Sequence, residues 1–148
     1  MDTAHFAQLI DAKLQIVGQL RDVSRRQLQA IDDSELTSLL SVLSAKQRLL
    51  DVLKQLDAQL EPYREQDPER RVWRSPADRV RCRDQANRCE AVLREVLTLE
   101  KQAETNMLRR REEVVQQMQT LEQAAGAQRA YLQMPAVASR GLDLTLEG

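Results

Sequence analysis

Large aromatic side chains, glycine and proline are all scarce in this sequence. Its 148 residues include four glycines and four prolines, and the only aromatic residues are Phe6, Tyr63, Trp73 and Tyr131. Globular enzyme cores use more rings, because each ring buries a large surface. Leu, Ala, Gln, Glu and Arg dominate instead, which is the composition of long helices and coiled coils. Strand-forming runs are missing as well, so we expect an all-α protein.

Residue types that carry catalysis or bind metals are equally few. The chain has one histidine, His5, and two cysteines, Cys82 and Cys89. The cysteines are seven positions apart, which is about 10 Å along a helix axis and too far for a disulfide. Neither a tetrahedral metal site nor a Ser-His-Asp triad can be assembled, and four scattered glycines cannot form a phosphate loop. We therefore expect no enzyme activity, no metal and no cofactor, and we interpret the cysteines as apolar fillers of a helix seam.

The charge and hydropathy of the chain favour a cytoplasmic protein. A formal net charge of −1 argues against attraction to nucleic acid or to an anionic membrane. No apolar run approaches the roughly 20 residues that a membrane span needs, and the first residues lack the pattern of a signal peptide. We expect neither membrane insertion nor a nucleic-acid partner.

Arginines are concentrated between residues 69 and 88, where seven of them occur with three acidic residues. A nucleic-acid surface favours arginines with little acidic interleaving and with aromatics for stacking, and only Trp73 is near. We interpret the cluster as a solvated face or a docking patch for an acidic protein.

Apolar residues at spacings of three and four predict three helices. Asp2 is the expected N-cap of the first helix, and Asp32 with Glu35 resembles a capping box that starts the second. Pro62 is expected to end the second helix, and Ser75 followed by proline starts the third. The predicted helices cover about 3–31, 33–60 and 76–128, with a loop at 61–75.

These lengths predict an elongated antiparallel bundle, in which a helical hairpin packs on a longer third helix. The second helix has the densest leucines and is predicted to be the centre of the fold, and Trp73 is expected to pack over the end of the bundle. At 1.5 Å per residue the first two helices are about 40 Å long and the third is about 75 Å. The bundle is assigned to residues 1–131, and a flexible tail to 132–148.

The second half of the third helix has no predicted neighbour and still carries apolar residues, which is typical of an interaction site. The predicted partner-binding residues on this helix are Met107, Leu108, Val114, Val115, Met118 and Leu121. The tail adds Met134, Val137, Leu142 and Leu144, which we expect to close over a bound partner. Dimerisation, or folding back of the helix, would also cover this surface.

Several segments resemble the FlgN family of flagellar type III export chaperones. The family has a first helix, a short acidic break, and a leucine-rich helix with a Lys-Gln-x-Leu-Leu core, followed by a long helix that ends near a tyrosine. The matching segments are 26–31, 36–43, 46–53, Ala130 with Tyr131, and 141–144. The resemblance implies a cytoplasmic chaperone that binds hook–filament junction proteins, with Tyr131 as a contact to the export gate at the membrane.

Two other functions remain open from the sequence. One is a structural homodimeric coiled-coil protein or scaffold, whose third helices pair with each other. The other is a small nucleic-acid adaptor that uses the arginines of residues 69–88 and a second cluster at residues 109–111, and binds in a strongly salt-dependent way. A monomer or weak homodimer fits the chaperone hypothesis, whereas a stable dimer fits the scaffold.

Overall fold

The computed structural model describes residues 2–133. They form three α-helices, and no strand occurs among them, so the predicted all-α class is confirmed. The chain divides into two compact units, Met1–Met107 and Leu108–Gly148. The helices are α1 (Thr3–Asp32), α2 (Leu36–Arg64) and α3 (Pro76–Leu132), with a 3-10 turn at Pro68–Arg70.

Side-chain caps start α1 and α3 where the sequence predicts them. The Asp2 carboxylate accepts a hydrogen bond from the Ala4 amide at 2.9 Å. The Ser75 hydroxyl accepts one from the Asp78 amide at 3.2 Å, and Pro76 takes the first helical position, where no amide hydrogen is needed. These caps satisfy amide groups that would otherwise lack an intrahelical acceptor.

The predicted capping box between α1 and α2 is wrong, because these residues end α1 instead. Asp32 is the last residue of α1, and Ser34 adopts a left-handed conformation with φ of 55°. The Glu35 amide donates to the Ala30 carbonyl at 3.0 Å, and the Ser34 amide donates to Ile31 at 3.1 Å. This pair of bonds is a Schellman motif, and the side chain of Glu35 caps nothing at the start of α2.

Pro62 does not end α2, which continues to Arg64, so the loop is shorter than the predicted 61–75. Proline removes one bond to the carbonyl four residues earlier, that of Ala58. Ala58 is exposed, so water can satisfy this carbonyl. Tyr63 is buried against Phe6, with ring centroids 5.0 Å apart, and this packing favours helix in the final turn.

In the first unit, α1 and α2 form an antiparallel hairpin. Lys13 near the start of α1 pairs with Asp57 near the end of α2 at 2.8 Å. Further along α1, the side-chain oxygen Oε1 of Gln27 accepts a hydrogen bond from Lys46 Nζ at 3.4 Å. Later residues of α1 therefore face earlier residues of α2.

The part of α3 in the first unit runs parallel to α1. The Cys89 thiol donates to the Ile10 carbonyl at 3.6 Å, and Ser24 Oγ donates to Glu100 at 3.4 Å. Later residues of α1 thus face later residues of α3. Because α2 is antiparallel to α1, it is antiparallel to this part of α3 as well.

The centre of the first unit is α1, so the prediction that α2 is central is wrong. Nine residues of α1 are buried, against Leu60 and Tyr63 alone on α2. On α3 the buried residues recur every seven positions, as expected for one continuous seam. They are Cys82, Cys89, Val96 and Ala103. Both cysteines are buried free thiols, which confirms their role as apolar fillers.

An aromatic cluster closes one end of the three-helix packing. The rings of Phe6 and Trp73 meet edge to face at 6.2 Å, which confirms the predicted position of Trp73. The guanidinium of Arg71 lies 4.4 Å from the centroid of the Phe6 ring, and its Nη2 donates to the Tyr63 carbonyl at 2.6 Å. Arg71 therefore fixes the loop against both α1 and α2.

Candidate functional site

The described residues contain no constellation that points to metal or membrane chemistry. Among residues 2–133, no three His, Cys, Asp or Glu side chains lie close enough together to hold a metal ion. In the same part of the chain, no helix combines the length and the apolar character needed to span a bilayer.

Large apolar side chains of α3 are exposed between residues 108 and 132. The predicted site residues there have 39% to 69% of their surface exposed. Between residues 108 and 133, only Gly126 and Tyr131 are partly buried, and none is fully buried. The exposed predicted residues in this range are Leu108, Val114, Val115, Met118 and Leu121.

Three of these residues share one face of the helix. At about 100° per residue, Val114, Met118 and Leu121 point within roughly 60° of each other, because they are separated by four and three positions. Ala125 and Leu132 continue the same line, which is about 27 Å long. We call these five residues the α3 stripe. Leu132, which is 54% exposed, lies in the segment predicted to be the tail. Its spacing of seven residues from Ala125 indicates that it continues the same helical face.

The other predicted residues of the second unit do not lie on this face. Leu108 and Val115 are about 100° to one side of the α3 stripe and form a second, shorter line. Tyr131 is about 100° to the other side and is partly buried. Contact with the α3 stripe and contact with Tyr131 would therefore involve different faces of the helix.

Met107 is the last residue of the first unit. Its side chain is 44% exposed and lines a shallow pocket of 420 Å³ with Gln27, Leu97 and Glu100. The predicted tail residues Met134, Val137, Leu142 and Leu144 lie outside the described residues.

Polar residues of mixed character border the α3 stripe. On one side, at about 60° to 80°, lie Arg111, Glu122 and Arg129, and on the other, at about 40° to 60°, lie Arg110, Gln117 and Gln128. Arg110 is paired with Glu113 at 3.3 Å, so both borders combine basic and acidic side chains. A partner on this face would be selected by its apolar side chains more than by its net charge.

A second apolar surface, on α2, was missed from the sequence. The dense leucines of α2 predict a helix at the centre of the fold, but only one side of α2 is covered. Counting along the helix places the exposed leucines on one face, opposite to the packed one. We call them the α2 leucine face: Leu36, Leu40, Leu43 and Leu50, which are 68%, 59%, 40% and 38% exposed.

Two clefts share Trp73 and Cys82 in their linings. The larger, of 490 Å³, has a mixed polar lining that includes Asp2, Asp78 and Arg81. The smaller cleft, of 240 Å³, is lined by three arginines and by no acidic side chain. Burial raises the pKa of the Cys82 thiol, and the nearby Arg71 charge offsets only part of this increase. The thiol therefore remains protonated near neutral pH and is a poor nucleophile.

No family model, no curated protein and no solved structure matches the chain.

Proposed function

We propose that this chain is a non-enzymatic chaperone that binds an amphipathic helix of another protein along the α3 stripe. The observation that supports the proposal is the exposure of Val114, Met118 and Leu121 on one face, at 53%, 56% and 69%. Exposed apolar residues at helical spacing, with polar borders, are the anchors used when a helix docks onto another helix or groove.

The α3 stripe supplies one wall of such a binding site. A client helix that packs its own apolar face against the stripe would bury the exposed parts of these side chains, at about 1–2 kcal/mol for each large residue. Met118 at the middle suits clients of different shape, because its unbranched side chain adapts to its neighbours. In this proposal the tail residues Met134, Val137, Leu142 and Leu144 supply the opposite wall.

The resemblance to FlgN chaperones gives the proposal its clients. These are the hook–filament junction proteins of the flagellum, whose amphipathic terminal helices would be held on the stripe in the cytoplasm. Delivery to the type III export gate would then use Tyr131. Because Tyr131 lies about 100° from the stripe, one helix can present both contacts without overlap.

The molar mass of the complex tests this proposal. Light scattering after gel filtration would be run on the chain alone, on the chain mixed with purified junction proteins, and on a version truncated after Ala130. We expect a monomer that forms a one-to-one complex, weakened by the truncation. A constitutive dimer that ignores the junction proteins would refute the chaperone proposal.

A structural homodimer is the second candidate, and the α2 leucine face favours it. Leu36 and Leu40 are 68% and 59% exposed, so a second copy could cover a surface that the α3 stripe does not include. The same light-scattering run separates the two candidates. A dimer abolished by Leu40→Asp with Leu43→Asp would support the scaffold, whereas a monomer would exclude it.

A further inference from the structure

The arginines that precede and begin α3 take no part in the proposed chaperone function. Several of them surround the smaller cleft beside Trp73, which belongs entirely to the first unit. Its apolar lining residues, which we call its floor, are Phe6, Pro68, Trp73, Cys82 and Ala86. The other lining residues are three arginines: Arg71, Arg79 and Arg83.

The positive charge around this cleft is only partly compensated. Arg79 has one acidic partner, Glu69, at 3.9 Å, and both side chains are mostly exposed, so this pair is weak. Arg83 makes no ion pair with any residue that the structure describes. Arg71 donates through Nη2 to a backbone carbonyl, but its buried Nε has no acceptor among the described residues. No acidic side chain lines the cleft.

We propose that this cleft binds an acidic peptide segment that inserts one bulky apolar side chain. A volume of 240 Å³ accommodates one such side chain, and the floor of Phe6, Trp73 and Ala86 offers it apolar contact. Carboxylates on either side of that residue would pair with Arg79 and Arg83 at the rim, where planar guanidinium groups favour bidentate contact. The site uses no residue of the α3 stripe, so it stands apart from the proposed chaperone function.

A nucleic acid fits this cleft less well. Base stacking requires an accessible ring face, but Trp73 is partly buried, and its ring packs edge to face on Phe6. Phosphate groups would gain nothing from the apolar floor.

Trp73 provides a local signal for the test, because it is the only tryptophan in the chain. The full-length protein would be titrated with the peptide EELEE while tryptophan emission is recorded at low salt. We expect a saturable change in emission that weakens as salt is added. The peptides EESEE and KKLKK, which lack the apolar anchor or reverse the charge, should bind at least tenfold more weakly.

Two arginine variants complete the experiment. Arg79→Gln combined with Arg83→Gln should weaken EELEE binding at least tenfold, while circular dichroism stays unchanged, because both side chains are exposed. Arg88→Gln removes one arginine that does not line the cleft and should change affinity less than twofold. The proposal is overturned if emission shows no saturable change, if the double variant and Arg88→Gln lose affinity equally, or if oligo-dT binds more tightly than EELEE.

Discussion

Lys46 of α2 and Glu100 of α3 form an ion pair inside the first unit, and their side chains are 16% and 33% exposed. Lys46 also donates to Gln27, and Ser24 donates to Glu100, both at 3.4 Å. Ser24 and Gln27 are buried on α1, so this polar layer joins all three helices. A polar layer within an apolar seam specifies the register in which the helices pack.

Removing one partner of this ion pair should destabilise the protein more than replacing both partners with apolar residues. Lys46→Met leaves the Glu100 carboxylate without its cation, and we expect the free energy of unfolding to fall by about 1–3 kcal/mol. Lys46→Met combined with Glu100→Leu removes both charges and should recover most of that loss. Urea denaturation of Lys46→Met, of Glu100→Leu and of the double variant measures the coupling energy between the two side chains.

The exposed pair Arg94 and Glu90, which are 76% and 72% exposed, is the matched control. Arg94→Met should change stability by less than about 0.5 kcal/mol. Additive losses in the Lys46 and Glu100 double variant would show that the two side chains are not coupled.

Buried and exposed leucines should differ sharply in their contribution to stability. Leu20 of α1 is 1% exposed, and Leu40 of α2 is 59% exposed. Leu20→Ala should lower the free energy of unfolding by about 3 kcal/mol, because it removes apolar contacts and leaves a cavity. Leu40→Ala should cost less than about 1 kcal/mol in the monomer. Equal losses in thermal or urea unfolding would contradict the assignment of α1 as the central helix.

The sequence predicts the helix class and the starts of α1 and α3, because local caps determine these. It fails at the end of α1, where Asp32 and Glu35 fit both a capping box and the Schellman motif that forms around Ser34. It also fails at the centre of the fold. The leucines of α2 occupy more than one of its faces, and periodicity cannot show which apolar face is covered. In α1, the buried residues include the polar Ser24 and Gln27, which a hydrophobic pattern does not identify.

The candidate site is predictable only in part, for a similar reason. The spacing of Val114, Met118 and Leu121 identifies one helical face from sequence alone. The same pattern does not reveal the cleft beside Trp73, because Phe6, Arg71 and Cys82 come from separate segments that only folding brings together. No local motif encodes that arrangement.

Arg71 should stabilise the end of the first unit through its stack on Phe6 and its bond to Tyr63. Arg71→Lys keeps the charge but loses the planar group, and we expect a loss of about 1–2 kcal/mol in the free energy of unfolding. Arg74→Ala, which removes an exposed arginine nearby, should cost less than about 0.5 kcal/mol. The two variants would be compared by urea denaturation, with Trp73 emission as the probe. Equal stabilities would show that the stack contributes nothing.

The cysteines should make the protein less stable in alkali. Burial raises the pKa of both Cys82 and Cys89 above the ordinary value of 9.0. Above about pH 9 the unfolded chain releases these protons while the folded chain retains them, so the free energy of unfolding falls as pH rises. Below that pH neither state ionises, and the stabilising effect is fully present.

The slope of stability against pH between about 8 and 10 measures this effect. Cys82→Ala combined with Cys89→Ala should have a shallower slope than the parent protein, although its absolute stability is lower. Lysine titration affects both proteins alike and cancels in the comparison. Parallel slopes would mean that the thiols ionise equally in the folded and unfolded chains.

The central claim is that the α3 stripe binds a client helix, and a paired charge substitution tests it most directly. Met118→Asp with Leu121→Asp places two carboxylates on the stripe, while Gln116→Asp with Gln123→Asp places two on the opposite face. Both variants and the parent would be mixed with purified hook–filament junction proteins, and complex mass would be measured by light scattering. We expect a one-to-one complex for the parent and for the Gln116 and Gln123 variant, and none for the Met118 and Leu121 variant, with helicity unchanged in all three. Undiminished binding by the Met118 and Leu121 variant, or its unfolding, would contradict the claim.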